Sequence, residues 1–177
     1  MSLEIVVGPM FSGKTTYALS YIRRQQAIGR KVSVIKPSID NRYTMKEEIA
    51  SHDLQKITAN TWSTDLELIV MGNDNTFDCF VLEEAQFFKG LRHYVEKLLH
   101  MGKQILIVGL DGDAKQKIFG EIYLCLPLAS KITKLNALCA VCCDGTEAPF
   151  TKKLTRDETL VDVGGREKYA AVCQKHI

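Results

Sequence analysis

Eight consecutive residues near the start of the chain have the types and spacing needed to bind phosphate. They follow the pattern glycine, four residues, glycine, lysine and threonine, and they lie between an apolar run and a helical stretch. Such a loop turns backbone N–H groups toward one anion, and the helix N-terminus adds partial positive charge. The motif therefore indicates a nucleoside triphosphate but not the acceptor. The residues predicted to bind its phosphates are Gly8, Pro9, Met10, Phe11, Ser12, Gly13, Lys14 and Thr15.

Two neighbouring carboxylates, Glu83 and Glu84, follow an apolar strand-like run at 77–82. The carboxyl end of a parallel strand lies in the crevice where such sheets bind ligands. In phosphate-loop proteins one acid there helps to hold Mg²⁺, together with the Thr15 hydroxyl, and a neighbouring acid can accept a proton from the nucleophile. The aromatic residues Phe87 and Phe88 are compatible with the core or with stacking on a base.

Near the C-terminus, Cys139-x-x-Cys142 and Cys173-x-x-His176 form two pairs with the spacing of a zinc ribbon. Three sulfurs and one imidazole suit tetrahedral Zn²⁺ and leave no open position for catalysis, which favours a structural site. Cys143 is a competing ligand, but Cys142 gives the regular spacing.

The elements that must position these residues alternate between strand and helix. Apolar runs at 5–7, 32–35, 77–82 and 105–108 predict buried strands, and helical spacing predicts helices at 15–28 and 91–99. This order predicts an α/β fold with a parallel sheet flanked by helices. Residues 37–61 are polar with weak periodicity and are interpreted as a long loop. A domain boundary is expected near Leu138, where the cysteines begin to cluster.

Composition places the chain among ordinary globular proteins. Hydrophobic residues make up 46% of the 177 positions and charged residues 25%, and the formal net charge is +2. That charge gives no argument for a nucleic-acid partner, and the apolar runs are too short to predict a membrane span. With no secretory signal pattern, we expect a cytoplasmic protein that keeps its thiols reduced.

Taken together, these motifs resemble the type II thymidine kinases. The resemblance covers nearly the whole chain and rests on the order of the phosphate loop, the two Cys/His pairs and four further motifs, 84–88, 109–112, 119–120 and 164–165 with Tyr169. It implies a phosphate-loop ATP-binding domain (1–137) and a small zinc-ribbon-like lasso domain (138–177). It also implies transfer of the γ-phosphate of ATP to the 5′-hydroxyl of thymidine, in pyrimidine deoxynucleoside salvage.

The resemblance assigns roles by position. It implies that Glu84 is the general base, that Glu83 and Thr15 lie at Mg²⁺, and that Arg42 lies near the transferring phosphate. It further implies a thymidine pocket in which two aromatic rings flank the base and a lasso segment binds its edge through backbone groups. The implied pocket residues are Met10, Phe87, Leu110, Phe119, Thr151, Leu160, Val161, Asp162, Val163, Gly164 and Tyr169.

The family resemblance also implies a homotetramer, in some members a dimer, and inhibition by thymidine triphosphate. The chain departs from the family pattern at Glu83, where aspartate is usual, in the loop 113–118, and at Asp162, where an apolar residue is more common. Three other hypotheses remain open at this point: a DNA-dependent ATPase, a catalytically impaired nucleotide-binding protein, and a kinase of a different nucleoside. Against the first, the chain is too short for a second motor domain and has no basic stripe.

Overall fold

The structure, a computed structural model, describes residues 1–37, 48–50, 56–58, 61–62, 76–155 and 164–177. Arg42 and the lasso positions Leu160, Val161, Asp162 and Val163 lie outside the described residues. The expectations for these five positions therefore stay predictions.

A six-stranded sheet forms the centre of the molecule, and its strand order is β5-β2-β6-β7-β1-β8. Every neighbouring pair in this sheet is parallel, as the alternation of elements predicts. All strands therefore end at the same edge. The strands are β1 (Ser2–Val7), β2 (Val32–Lys36), β5 (Thr61–Trp62), β6 (Cys79–Leu82), β7 (Gln104–Gly109) and β8 (Lys131–Lys134).

Helices cover both faces of the sheet. Helix α1 (Lys14–Ala27) packs on one face and α2 (Leu91–His100) on the other, each through one apolar stripe. The strands supply both layers because successive side chains point to opposite faces. In β7, Ile105 and Ile107 join the α2 layer, whereas Leu106 and Val108 join the α1 layer. Burial on both faces explains why these strands are continuously apolar.

The segment after β7 returns across the α2 side of the sheet. It includes a 3₁₀ helix at Ile122–Leu128, whose residues Ile122 and Cys125 are buried in the α2 layer. Just before it, the Glu121 carboxylate accepts hydrogen bonds from the backbone N–H groups of Gly90 (3.1 Å) and Leu91 (2.9 Å). Those groups begin α2 and have no partner within the helix, so Glu121 caps it from thirty residues away.

The C-terminal region consists of two short antiparallel strand pairs. Strand β9 (Ala137–Leu138) pairs with β10 (Glu147–Ala148), and β11 (Phe150–Lys153) pairs with β12 (Tyr169–Val172). Small side chains and cysteines form its buried cluster: Ala137, Cys139, Ala148, Ala171, Val172 and Cys173. A core of this size is small, which is the usual reason for a metal site in such a region.

The long loop predicted for 37–61 is wrong in part. Strands β3 (Glu48–Ala50) and β4 (Lys56–Thr58) pair in antiparallel register within it, and β5 begins at Thr61. Backbone N–H and C=O groups need partners whatever the polarity of the side chains, and weak periodicity does not reveal such pairing.

Among the helices that the structure describes, none has the length and apolar character to cross a membrane.

Candidate active site

The phosphate loop connects β1 to α1 at the carboxyl edge of the sheet. Phe11 and Gly13 have positive φ angles of 65° and 81°, so the chain curls tightly before the helix begins at Lys14. At Gly8 a Cβ atom would lie 2.3 Å from the backbone oxygen of Leu135, which excludes any side chain there. The two motif glycines therefore serve different needs: close approach at Gly8 and a left-handed turn at Gly13.

Within this loop, side chains fold back on the Pro9 carbonyl. Lys14 Nζ donates to it at 2.6 Å and Ser12 Oγ at 2.8 Å. The Lys14 side chain is buried, so its ammonium group is held inside the loop rather than extended into solvent. This is the position from which a lysine can reach the phosphates of a nucleotide bound to the loop.

Thr15 joins the phosphate loop to the end of β6. Its hydroxyl donates to Glu83 Oε1 at 2.8 Å, across 68 positions of sequence. The backbone N–H of Glu83 donates to Ile35 O at 2.9 Å, which extends the pairing of β6 with β2 by one residue. A hydroxyl in the first turn of the helix after the phosphate loop and a carboxylate directly after a parallel strand are the donor set that phosphate-loop proteins use for Mg²⁺.

Glu83 is completely enclosed by protein. Burial, and the neighbouring negative charge of Glu84, raise the pKa of Glu83 to about 7. Its Oε2 atom has no hydrogen-bond partner among the residues that the structure describes. An unsatisfied buried carboxylate oxygen costs free energy unless a cation or a donor meets it. Glu83 and Thr15 therefore fit a magnesium ion, with the Glu83 side chain long enough to reach Thr15.

Glu84 has a different environment from Glu83. Its backbone is left-handed, with φ 51° and ψ 44°, so the chain turns sharply as it leaves β6. The Glu84 side chain is half-buried, and its Oε2 accepts a hydrogen bond from Gln86 Nε2 at 2.7 Å. One glutamate therefore faces the phosphate loop, while the other is held beside Gln86.

Two aromatic rings stand at the same edge of the sheet. The centroids of Phe87 and Phe119 lie 5.5 Å apart with their planes at 87°, an edge-to-face contact. Both residues are half-buried, whereas the neighbouring Phe88 is buried in the α2 layer. Phe88 is therefore a core residue, and Phe87 and Phe119 form one aromatic wall beside the carboxylates.

The C-terminal region contacts the phosphate loop directly. Met10 N–H donates to the Thr151 hydroxyl at 2.9 Å, and both residues are buried. Phe11 packs against the buried cluster of the C-terminal region, and the Arg166 guanidinium lies 5.7 Å from the centre of its ring. Tyr169 and Gly164, two further residues predicted to line the pocket, are also buried in this region.

The predicted metal ligands converge. One donor atom from each of Cys139, Cys142, Cys173 and His176 lies within 4.8 Å of the others. The sulfurs of Cys142 and Cys173 are 3.7 Å apart, and His176 Nδ1 lies 3.3 Å from Cys173 Sγ and 3.4 Å from Cys142 Sγ. Donors bound to one zinc ion at about 2.3 Å in a tetrahedron would be roughly 3.8 Å apart. The four residues therefore fit Zn²⁺.

Cys143 does not join this cluster. It is exposed, its backbone is left-handed with φ 53°, and its sulfur contacts the backbone oxygen of Ala140 at 3.2 Å. This geometry is consistent with the preference for Cys142 over Cys143, which stays a prediction. Cys79 and Cys125 are buried in the two sheet layers, as expected for core residues.

A family model described as thymidine kinase matches residues 1–177 of the chain. The chain belongs to the thymidine kinase family. Curated relatives in this family include the thymidine kinase of Fowlpox virus, 36% identical over 98% of this chain and 95% of the relative. They also include the thymidine kinase of Pseudothermotoga lettingae, 37% identical over 97% and 92%. Thymidine kinase a of Arabidopsis thaliana is 36% identical over 99% of this chain and 74% of its own length.

The structure brings several predicted residues of this thymidine kinase family member to one edge of the sheet. The phosphate loop, Glu83, Glu84 and Leu110 lie at the ends of β1, β6 and β7, which are neighbours in the sheet. Sequence reasoning missed one residue of this neighbourhood, Gln86. Its side chain contacts both Glu84 and the backbone of Leu110. Gln86 lies two positions after Glu84, and only the sharp turn of the backbone at Glu84 brings the two side chains together.

Proposed function

We propose that this member of the thymidine kinase family transfers the γ-phosphate of ATP to the 5′-hydroxyl of thymidine at the edge where β1, β6 and β7 end. The observation that carries the proposal is the 2.8 Å contact between Thr15 and Glu83, which joins a complete phosphate loop to the paired glutamates. The family match over the whole chain supports thymidine as the acceptor.

In this proposal the phosphate loop and Lys14 bind the triphosphate of ATP. The N–H groups of the loop and the N-terminus of α1 face the phosphates, and the ammonium group of Lys14 reaches the β- and γ-phosphates. Thr15 and Glu83 would hold Mg²⁺, which when bound neutralises negative charge on the phosphate oxygens. Arg42 is proposed to act near the transferring phosphate on the strength of the family resemblance.

Glu84 is proposed as the general base. A carboxylate next to the phosphate loop can accept the proton of the thymidine 5′-hydroxyl as its oxygen attacks the γ-phosphorus and the bond to the leaving ADP oxygen breaks. Glu83 is less suited to this role because it is completely enclosed and is bonded to Thr15.

The thymine base is proposed to lie against the aromatic wall of Phe87 and Phe119. Met10, Leu110, Thr151 and Tyr169 would complete the pocket. Backbone groups of the lasso, from Leu160 to Gly164, are proposed to bind the polar edge of the base. A pocket framed for one ring discriminates against a larger one, because its polar groups are then left without partners.

The remaining expectations concern the whole molecule. The Cys/His cluster is proposed to bind one structural Zn²⁺, and residues 138–177 are proposed to form a small domain around it. Assembly as a homotetramer or dimer, inhibition by thymidine triphosphate and a cytoplasmic location stay predictions from the resemblance.

Radiolabelled ATP offered with a panel of acceptors tests this function. Thymidine should be labelled far faster than deoxyguanosine, with deoxyuridine and deoxycytidine reporting selectivity among pyrimidines. Transfer to deoxyguanosine at an equal rate would indicate a different nucleoside kinase. Hydrolysis of ATP that depends on single-stranded DNA, without labelled nucleoside, would indicate a DNA-dependent ATPase instead. Binding of ATP without transfer to any acceptor would indicate an impaired enzyme.

A further inference from the structure

We propose that Gln86 is a positioning residue that holds the Glu84 carboxylate in the orientation from which it accepts the proton of the nucleophile. The inference rests on the proposed function, because it takes Glu84 as the general base. Gln86 acts through Glu84 and through the backbone of Leu110, and in this proposal it touches neither ATP nor thymidine.

Both polar atoms of the Gln86 side-chain amide form hydrogen bonds. Its Nε2 donates to Glu84 Oε2 at 2.7 Å, and its Oε1 accepts the Leu110 N–H at 3.0 Å. Because the backbone of Leu110 offers a donor, the amide oxygen must face it, and the NH₂ group is therefore directed at the carboxylate. The orientation of the amide is thus set by the main chain at Leu110, directly after β7, rather than by Glu84 itself.

Two glycines allow neighbouring segments of the chain to pack closely against Gln86. A Cβ atom on Gly120 would lie 2.2 Å from the backbone oxygen of Gln86 and 2.7 Å from its Cα. A Cβ atom on Gly109 would lie 2.6 Å from Gln86 Oε1. Gly109 is the last residue of β7, and Gly120 lies in the segment that follows this strand. Their lack of a side chain lets two separate segments pack directly on Gln86, which is only 4% exposed.

The Glu84 side chain needs such a support. Its backbone is left-handed, a conformation uncommon for residues other than glycine that persists where the surroundings impose it. A half-exposed glutamate has several rotamers, and catalysis requires one of them. A hydrogen bond from a buried, fixed amide to an ionised carboxylate is strong and selects one orientation. Gln86 therefore reduces the freedom of Glu84 before the substrates bind.

The test compares Gln86→Met, which removes both hydrogen bonds, with Gln86→Glu, which keeps an oxygen for the Leu110 N–H but loses the donor to Glu84. Misplacing a catalytic group by about 1 Å can reduce a rate on the order of a hundredfold. Both variants should lower kcat by about ten- to a hundredfold, while the KM for ATP changes by less than about threefold. Thermal unfolding of each variant is recorded alongside, so that a loss of kcat is separated from a loss of stability.

Gln25→Met is the matched control. Gln25 is also a buried glutamine, and its Oε1 accepts a hydrogen bond from Arg30 at 2.7 Å, at the far end of α1 from the phosphate loop. This variant should lower stability without lowering kcat. If Gln86→Met and Gln25→Met lower kcat equally, Gln86 has no special role.

A double-variant cycle with Glu84→Gln decides between the inference and its premise. In the Glu84→Gln background, Gln86→Met should reduce kcat by less than about threefold further, because the group that it positions has been removed. An equal fold-loss in both backgrounds, or an unchanged kcat for both Gln86 variants, would overturn the role of Gln86 and leave Glu84 as the base. Full kcat in Glu84→Gln alone would overturn the base itself, and the role of Gln86 with it.

Discussion

Met10 and Thr151 are joined by a buried hydrogen bond of 2.9 Å, although 141 positions separate them in the sequence. Met10 belongs to the phosphate loop and Thr151 to β11 of the C-terminal region. The Met10 N–H of the phosphate loop therefore donates to a residue of the C-terminal region, which also carries the Cys/His cluster. Because Phe11 also packs there, the conformation of the phosphate loop depends on the folding of the C-terminal region.

Replacing Thr151 with valine should weaken this connection. The Met10 N–H would be left buried without a partner, which costs about 1–3 kcal/mol of unfolding free energy. The KM for ATP should also rise, because the loop loses an anchor. Thr151→Ser keeps the hydroxyl and serves as the control, with an unfolding free energy near that of the wild type. Denaturant unfolding measures the stability of both variants. Equal stability of Thr151→Val and Thr151→Ser would show that the hydrogen bond contributes nothing to the free energy of unfolding.

Removing a metal ligand should destabilise the C-terminal region. Metal binding and folding are thermodynamically linked in small metal-containing domains. Elemental analysis should therefore give about one zinc per chain, and Cys173→Ser should lose that zinc and unfold at a clearly lower temperature. The matched control is Cys143→Ser, which alters an exposed thiol next to the cluster. Purified, active protein without stoichiometric metal would contradict the assignment.

Substitution of Gly120 should be much more damaging than substitution of Gly145. Both residues have positive φ angles, 69° and 90°, so alanine pays a similar backbone cost of about 1–2 kcal/mol at each. At Gly145 nothing lies within 4 Å of the new Cβ atom, whereas at Gly120 it meets the backbone of Gln86. We expect Gly120→Ala to lose more than about 4 kcal/mol or to fail to fold. Similar unfolding free energies for the two variants would refute this packing.

Glu83 should make the stability of the substrate-free protein depend on pH. Burial and the charge of Glu84 raise its pKa from 4.5 to about 7, so the folded state binds more protons than the unfolded state between these values. Stability contributed by this group is therefore fully present below about pH 4.5 and is lost as the pH rises through 7, by about 1.4 kcal/mol for each pKa unit.

The variant Glu83→Gln isolates this effect. Its free energy of unfolding should decline less than that of the wild type as the pH is raised across this window, since its side chain does not ionise. Chemical denaturation at pH 5, 6, 7 and 8 gives the comparison. Parallel curves for the two proteins would show that Glu83 does not titrate in this range.

Much of this arrangement follows from local sequence patterns. The phosphate loop, the α/β order and the two Cys/His pairs are each contained in short segments whose chemistry depends on residue type and spacing. Glu83 and Glu84 could be placed at the sheet edge because they directly follow a buried strand. The choice of Cys142 over Cys143 also followed from regular spacing, and the structure places Cys142 within the Cys/His cluster.

Other features depend on contacts between distant segments. The bond between Met10 and Thr151 and the closure of Gly120 on Gln86 have no periodic or local signature. The short strands within 37–61 were missed for a related reason, because pairing of β3 with β4 satisfies backbone groups without a strong side-chain pattern. Gln86 itself sits in the motif 84–88, which supported the family resemblance but gave this residue no role.

The most direct test of the proposed mechanism compares variants of Glu83 and Glu84, which are assigned different roles. General-base assistance contributes about a hundred- to ten-thousand-fold, so Glu84→Gln should lower kcat within that range while ATP and thymidine still bind. Glu83→Gln should instead change the dependence of the rate on Mg²⁺, and Glu83→Asp, the residue usual in the family, should be tolerated. Near-full kcat in Glu84→Gln together with its loss in Glu83→Gln would contradict the assignment and exchange the two roles.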